Sequence, residues 1–165
     1  MLIVRPTGLR ELKNQDVQNN HDMLSEQVRQ YLIDQNMYID DDDQSYNDVM
    51  KRLGIDLNTP FAEFHTKTMA TSYSGRIGEL YNICWNYINS SYEEQISSIQ
   101  QALSLPPEYI PLDGFEAGGG FFYSRESGEV IELEVGENLQ NFQNGIIDVK
   151  WGDFNEFLVW YFELE

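Results

Sequence analysis

Few residues of this sequence could act as a nucleophile, a general base or a metal ligand. Cys84 is the only cysteine, and His21 and His65 are the only histidines. A nucleophilic site needs a thiol or hydroxyl beside a base, and neither histidine lies in such a motif. Cys84 stands between two large apolar residues, which is typical of a small core residue. Two histidines and one cysteine also match no structural zinc spacing. We therefore expect no catalytic residue, no metal and no cofactor.

Carboxylates are the most abundant titratable groups. Glu132 and Glu134 stand two residues apart on a predicted strand, where they could act as the acid and base of a glycosidase-like hydrolysis. Such pairs arise by chance among 28 acidic residues, and no sequence feature indicates the shaped cleft that this chemistry needs. We interpret both glutamates as members of a solvated sheet face.

Three consecutive glycines, Gly118 to Gly120, could expose backbone N–H groups to a phosphate. A phosphate loop normally leads into a helix whose N-terminus meets the anion. Here Phe121, Phe122 and Tyr123 follow, at the spacing of a strand. The sequence favours a close backbone approach or a bulge at the start of a strand.

The charge balance is the most unusual global property. The chain of 165 residues carries 28 Asp and Glu against 10 Lys and Arg, a net charge of -18. Such a surface repels nucleic acid and anionic membranes, and it attracts cationic partners most strongly at low salt. An acidic surface can also simply keep a protein soluble, and charge alone does not separate these explanations.

Helices are predicted in the first half of the chain. Leu24, Val28 and Leu32 recur at helical spacing, and residues 40–43 form an acidic loop, so residues 1–44 are an N-terminal helical region and acidic loop. Ser45 is expected to cap a second helix. A third helix is expected to start at Pro60, because proline at the first helical position loses no intrahelical hydrogen bond. Its expected apolar residues are Phe61, Phe64 and Met69.

The middle of the chain contains a predicted strand and a predicted helix. The stretch "GELYNICWNYI" suits a pleated surface and predicts a strand at least from Glu79 to Cys84. Ser91 and Glu94 form a predicted capping box for the next helix, which ends before Pro106.

The spacing of apolar residues changes to two beyond the prolines. A short strand at residues 108–112 precedes two strands at 121–125 and 129–135, joined by a turn with Gly128 in the left-handed conformation. Ile131, Leu133 and Val135 alternate with glutamates. This pattern predicts an antiparallel sheet with one buried and one solvated face.

The C-terminal segment predicts a last helix, clasped between the sheet and another element, with Asp153 and Glu156 as its capping pair. Helices gathered beside an antiparallel sheet favour an α+β fold, which we expect to be a single domain over residues 1–165. The first ten residues contain too short an apolar run for a signal peptide or a membrane span. We expect a cytoplasmic protein that is a monomer or weak dimer.

The order of these elements resembles the SUKH superfamily, a group named for a fungal regulator of cell-wall glucan synthesis and its bacterial relatives. The resemblance starts in "VMKRLGIDLNTPFAEFHTKTMATSYSG", where a helix ending in Leu-Gly leads to a proline-started helix and an aromatic-polar-Gly turn. It continues through "LPPEYIPLDGFEAGGGFFYSRESGEVIELE", a short strand, a glycine-rich step and a hairpin. It finishes in "WGDFNEFLVWYFE", similar to the family's terminal helix.

The resemblance implies a binding protein without enzymatic activity. Most bacterial members look like immunity proteins, which neutralise a toxin, often a nuclease, delivered between competing cells; fungal relatives act as interaction hubs. A nuclease carries a basic surface to hold phosphates, so an acidic inhibitor would both steer towards it and block it.

Exposed acids near the hairpin and the loops are the expected contacts to such a cognate toxin. They are Asp41, Asp42, Asp43, Glu126, Glu129, Glu132 and Glu134. Two alternatives remain: a regulatory hub, which would bind several partners weakly, and a small-molecule-binding protein. The second would have a concave pocket with convergent polar groups and a perturbed titratable residue.

Overall fold

The computed structural model describes residues 23–165, which form an α+β fold of seven α-helices and two small antiparallel sheets. His21 and the first half of the predicted N-terminal region lie outside the described residues. The helices are α1 (Glu26–Asp34), α2 (Gln44–Arg52), α3 (Pro60–Thr66), α4 (Ile83–Asn89), α5 (Tyr92–Leu103), α6 (Glu137–Gln143) and α7 (Phe154–Tyr161). Within residues 23–165, no helix is long and apolar enough to cross a membrane.

The two sheets are built from five short strands. In the first sheet, β1 (Ser72–Ser74) pairs with β2 (Glu79–Tyr81). In the second, β4 (Gly119–Ser124) lies between β3 (Tyr109–Pro111) and β5 (Val130–Glu134). The predicted hairpin is confirmed, and Gly128 has the left-handed conformation that its turn requires, with φ of 79°.

Two of the predicted capping side chains, Ser45 and Ser91, are wrong. Asp43, not Ser45, caps α2, because its carboxylate accepts the N–H of Tyr46 at 3.2 Å and carries the negative charge that a helix N-terminus favours. Helix α5 starts at Tyr92 as expected, but the Ser91 side chain makes no capping hydrogen bond.

The predicted strand from Glu79 to Cys84 is correct in its first half and wrong in its second. It ends at Tyr81, and Asn82 then caps α4 by accepting the N–H of Trp85 at 3.1 Å. The aromatic and β-branched residues of this run favour a strand, but the capping side chain of Asn82 starts a helix within it.

Helix α3 starts at Pro60 as predicted, with Thr59 Oγ1 accepting the N–H of Ala62 at 3.2 Å. Phe61 and Phe64 are buried, but Met69 lies beyond the end of the helix and is 66% exposed.

Both faces of the second sheet are buried over most of their area, so the predicted solvated face is wrong except at its Glu132–Glu134 end, where Glu132 is half-buried and Glu134 is exposed. Phe121, Tyr123 and Val130 contribute to the larger core cluster, which also holds residues of α3 and α7. Phe122, Ile131 and Leu133 contribute to a smaller cluster on the opposite face. The smaller cluster is completed from α5 and α6 by Leu103, Leu139 and Phe142. Apolar residues occupy both sides of β4, so both faces require cover.

The C-terminal helix forms as predicted. Asp153 Oδ1 accepts the N–H of Glu156 at 2.8 Å, and Glu156 Oε2 accepts the N–H of Gly152 at 3.0 Å. Helix α7 packs against α1 and α3. The ring centroids of its Phe157 and of Phe121 in β4 are 5.2 Å apart. It is therefore held between the sheet and two other helices.

Candidate functional site

A cleft of about 560 Å³ lies between the β1–β2 turn, the loop that leads into β4, and the end of β5. Five carboxylates from these three segments line it: Glu79, Asp113, Glu116, Glu132 and Glu134. No Lys, Arg or His is among its lining residues. All the charged side chains that line the cleft are therefore negative.

Asp113 is half-buried, and backbone groups hold its carboxylate in place. Oδ1 accepts the N–H of Phe115 at 3.0 Å, and Oδ2 accepts the N–H of Phe121 at 3.4 Å. Burial raises the pKa of Asp113 to about 6, with Glu116 and Glu132 adding to the rise and the two N–H donors opposing it. At neutral pH the group is a largely ionised, partly desolvated carboxylate.

The glycines of this region allow Asp113 to lie against the sheet. A β-carbon on Gly120 would overlap Asp113 Oδ1, and one on Gly114 would lie 3.0 Å from the Tyr81 hydroxyl. Phe115 and Ala117 both have positive φ, at 52° and 53°, so the loop is tightly folded. The prediction of a close backbone approach at the start of a strand is confirmed.

The opposite wall is the β1–β2 turn, which α7 holds. The Tyr161 hydroxyl donates a bifurcated hydrogen bond to the carbonyls of Tyr73 and Gly78, at 2.8 and 2.9 Å. The N–H of Arg76 donates to the Tyr161 carbonyl at 2.7 Å. A β-carbon on Gly75 would lie 2.6 Å from that carbonyl oxygen, so only glycine allows this approach.

Apolar and aromatic side chains form the rest of the cleft surface. Tyr81 and Phe121 lie along it, and Ile77 is at its edge with 60% of its surface exposed. Val135, 63% exposed, follows Glu134 and lies beside Gly118. The acids are thus combined with exposed apolar surface, as in a protein-binding surface.

The cations nearest to the cleft are only partly available to neutralise it. Lys150 Nζ lies 3.8 Å from Glu132 Oε1, a loose pair at the edge. Arg76 Nε instead donates to the Trp160 carbonyl at 2.9 Å, and its Nη2 lies 3.5 Å from Glu165. Four of the five lining acids therefore have no salt-bridge partner in residues 23–165.

The structure divides the seven predicted partner-binding acids among three places. Asp41, Asp42 and Asp43 lie in the exposed loop before α2, where Asp42 is 3.3 Å from Lys67 Nζ. Glu126 and Glu129 lie at the hairpin turn, and Glu132 and Glu134 line the cleft at the other end of β5. Five strand residues span roughly 17 Å, so the seven acids do not form one compact patch.

Sequence reasoning missed Glu79, Asp113 and Glu116 as members of this site. The available signal was the Asp-Gly pair at 113–114 close to three glycines, because a carboxylate that packs against backbone needs residues without side chains.

The residues able to do nucleophilic chemistry lie elsewhere. Cys84 is buried as predicted, and burial raises the pKa of its thiol. His65 is also buried, and desolvation lowers its pKa to about 3; its Nδ1 accepts the N–H of Ile83 at 3.1 Å. In the part of the chain that the structure describes, no three His, Cys, Asp or Glu side chains are arranged to hold a metal ion.

Comparisons with protein-family models, curated proteins and solved structures found no match to this chain. The resemblance to the SUKH superfamily stays a prediction.

Proposed function

We propose that this chain is an immunity protein that binds and neutralises a cognate toxin with a basic surface, such as a nuclease, in the cytoplasm of the cell that makes it. The observation that carries the proposal is the cleft, because all five of its lining residues from the Asp, Glu, Lys, Arg and His types are Asp or Glu. These carboxylates have few ion pairs with the Lys and Arg side chains of residues 23–165, so they are available to a basic partner.

The charge of the whole chain supports the same partner. Residues 1–22 contain three acidic and three basic residues, so the described residues carry the full net charge of -18. A field of this sign speeds encounter with a basic protein and slows encounter with an acidic one. A nuclease holds its substrate through phosphate contacts, so carboxylates placed on that surface compete with the nucleic acid.

A small-molecule-binding protein is the second candidate, and the same cleft favours it. Its volume of about 560 Å³ is in the range of ligand pockets, and Asp113 is a perturbed titratable group within it. The ligand would be a cation, because no lining residue could pair with an anion.

The experiment that tests the proposal is capture of partners on the tagged chain at low salt from the cells that make it. Bound proteins are eluted with a salt gradient, identified by mass spectrometry, and expressed with and without the chain. We expect one basic protein that elutes at raised salt and whose toxicity the chain suppresses. Several unrelated partners, or a partner that is not toxic, would contradict the immunity function.

A further inference from the structure

We infer that the cleft binds the side chain of one arginine of the basic partner, with the guanidinium group against the Asp113 carboxylate. This inference rests on the proposed function, since it names the part of the partner that the acidic cleft recognises.

The first support is the hydrogen-bonding capacity of Asp113. An ionised carboxylate has about four acceptor positions, and backbone N–H groups of Phe115 and Phe121 occupy one on each oxygen. Each oxygen keeps a further acceptor position, which is what the two parallel N–H groups of a guanidinium require. The backbone contacts and the tight fit against Gly120 fix the carboxylate before a partner arrives.

The second support is the combination of charge and apolar surface. An arginine side chain has a planar, weakly hydrated head that stacks on aromatic rings, and an apolar stem. The cleft offers Tyr81 and Phe121 for the head, and the exposed side chain of Ile77 for the stem. A lysine ammonium is more strongly hydrated and lacks the planar fork, so arginine suits these walls better.

The third support is the charge repulsion among the carboxylates that line the cleft. Glu116 and Glu132 both act on Asp113 by charge repulsion. A guanidinium between these groups would replace repulsion with attraction in a partly desolvated place, where such interactions are strongest. The partner's arginine therefore relieves a cost that the free protein carries.

The test uses a probe that does not depend on the toxin. Nuclear magnetic resonance of the 15N-labelled chain follows titration with N-acetyl-arginine amide, and separately with the lysine and citrulline analogues. We expect the arginine probe to shift the amides of Phe115, Gly120 and Phe121, and to bind about tenfold more tightly than the lysine probe. The uncharged citrulline analogue should not bind.

Matched variants test whether the arginine probe binds in the cleft. Asp113→Asn should weaken arginine binding by about tenfold. Glu132→Gln leaves the Asp113 loop unaltered and should also weaken arginine binding. Glu126→Gln removes an acid at the opposite end of the hairpin and should leave the affinity unchanged. Equal shifts with arginine and lysine probes, spread over the surface and unaffected by Asp113→Asn, would overturn the inference.

The two proposals fail in different ways. If a toxin is captured and neutralised while neither the arginine probe nor Asp113→Asn affects its binding, the arginine site is wrong and the immunity function stands. If the arginine probe binds as expected but no toxic partner exists, the immunity function is wrong. If agmatine, a free alkylguanidinium, binds in the micromolar range and far more tightly than the amide probe, a small cation replaces the protein partner as the ligand.

Discussion

The carboxylate of Asp113 lies directly against the backbone of Gly120, so closely that a β-carbon at position 120 would overlap Oδ1 and lie 3.1 Å from Phe115 Cδ2. The neighbouring N–H of Phe121 donates to Oδ2 of the same carboxylate at 3.4 Å. The acid in the cleft and the first residues of β4 are therefore one packed unit, and a change in either is transmitted to the other.

Gly120→Ala should displace Asp113 and destabilise the protein. The added methyl group requires the Asp113 loop or β4 to shift, which we expect to lower the free energy of unfolding by about 1–3 kcal/mol. Urea unfolding followed by circular dichroism measures this change. The matched control is Gly119→Ala on the same strand, whose nearest neighbours would be 3.7 and 3.9 Å away. Equal losses in the two variants would contradict the close contact.

Tyr161→Phe should loosen the wall that the β1–β2 turn forms. It removes the hydroxyl that bridges the Tyr73 and Gly78 carbonyls, and we expect a loss of about 1–2 kcal/mol in the free energy of unfolding. Hydrogen exchange should quicken at residues 72–81. Tyr87→Phe is the control, because the Tyr87 hydroxyl makes no hydrogen bond within residues 23–165. A turn that stays fully protected in Tyr161→Phe would show that this hydroxyl does not hold it.

The ion pair between Arg29 and Glu63 should stabilise the folded protein far more than the ion pairs of Lys67 do. Arg29 Nε and Nη2 each lie 2.9 Å from a Glu63 oxygen, and the Glu63 side chain is only 3% exposed. Arg29→Met leaves a buried, unpaired carboxylate, with an expected loss of about 2–4 kcal/mol.

Thermal or urea unfolding measures the difference against Lys67→Met. The partners of Lys67, Asp40 and Asp42, are 89% and 85% exposed, so this control should cost less than about 1 kcal/mol. Similar costs for the two substitutions would show that Glu63 is not dependent on its pairing with Arg29.

Mild acid should stabilise the folded protein. Burial first, and then Glu116 and Glu132, raise the pKa of Asp113 to about 6, above its value of about 3.9 in an unfolded chain. Between these values the folded state binds more protons than the unfolded state, so stability rises as the pH falls from 7 towards 5.

Scanning calorimetry at pH 7.5 and pH 5.5 measures the effect, and carbon-detected magnetic resonance should give an Asp113 midpoint near pH 6. The rise in Tm at the lower pH should be smaller in Asp113→Asn. An Asp113 midpoint near 4, with no rise in Tm, would show that this carboxylate is solvated.

Local signals in the sequence predicted the elements whose start is set by one or two side chains. The proline-started helix α3, the Gly128 turn and the capped helix α7 all depend on neighbours within four residues. The break at Asn82 was missed because the aromatic and β-branched residues around it favour a strand, and the capping role of Asn82 was not recognised. Burial of both faces of the second sheet depends on α6, which sequence periodicity did not predict.

The cleft could be predicted only in part. Glu132 and Glu134 were expected as partner contacts, but Glu79 and Asp113 are far from them in sequence and meet them only because the first sheet and the β4 loop face the end of β5. Long-range placement of this kind has no local signal. The glycines near residue 120 indicated a close approach without indicating which side chain would make it.

The most direct test of the account is the affinity between the chain and the captured toxin for two triple variants with equal net charge. One neutralises three cleft acids by Glu79→Gln, Glu116→Gln and Glu132→Gln. The other neutralises three acids outside the cleft by Asp41→Gln, Glu126→Gln and Glu129→Gln. We expect the cleft variant to bind more weakly by about tenfold or more, and the other variant to change mainly the association rate at low salt. Equal affinities for the two variants would show that overall charge, and not the cleft, recognises the partner.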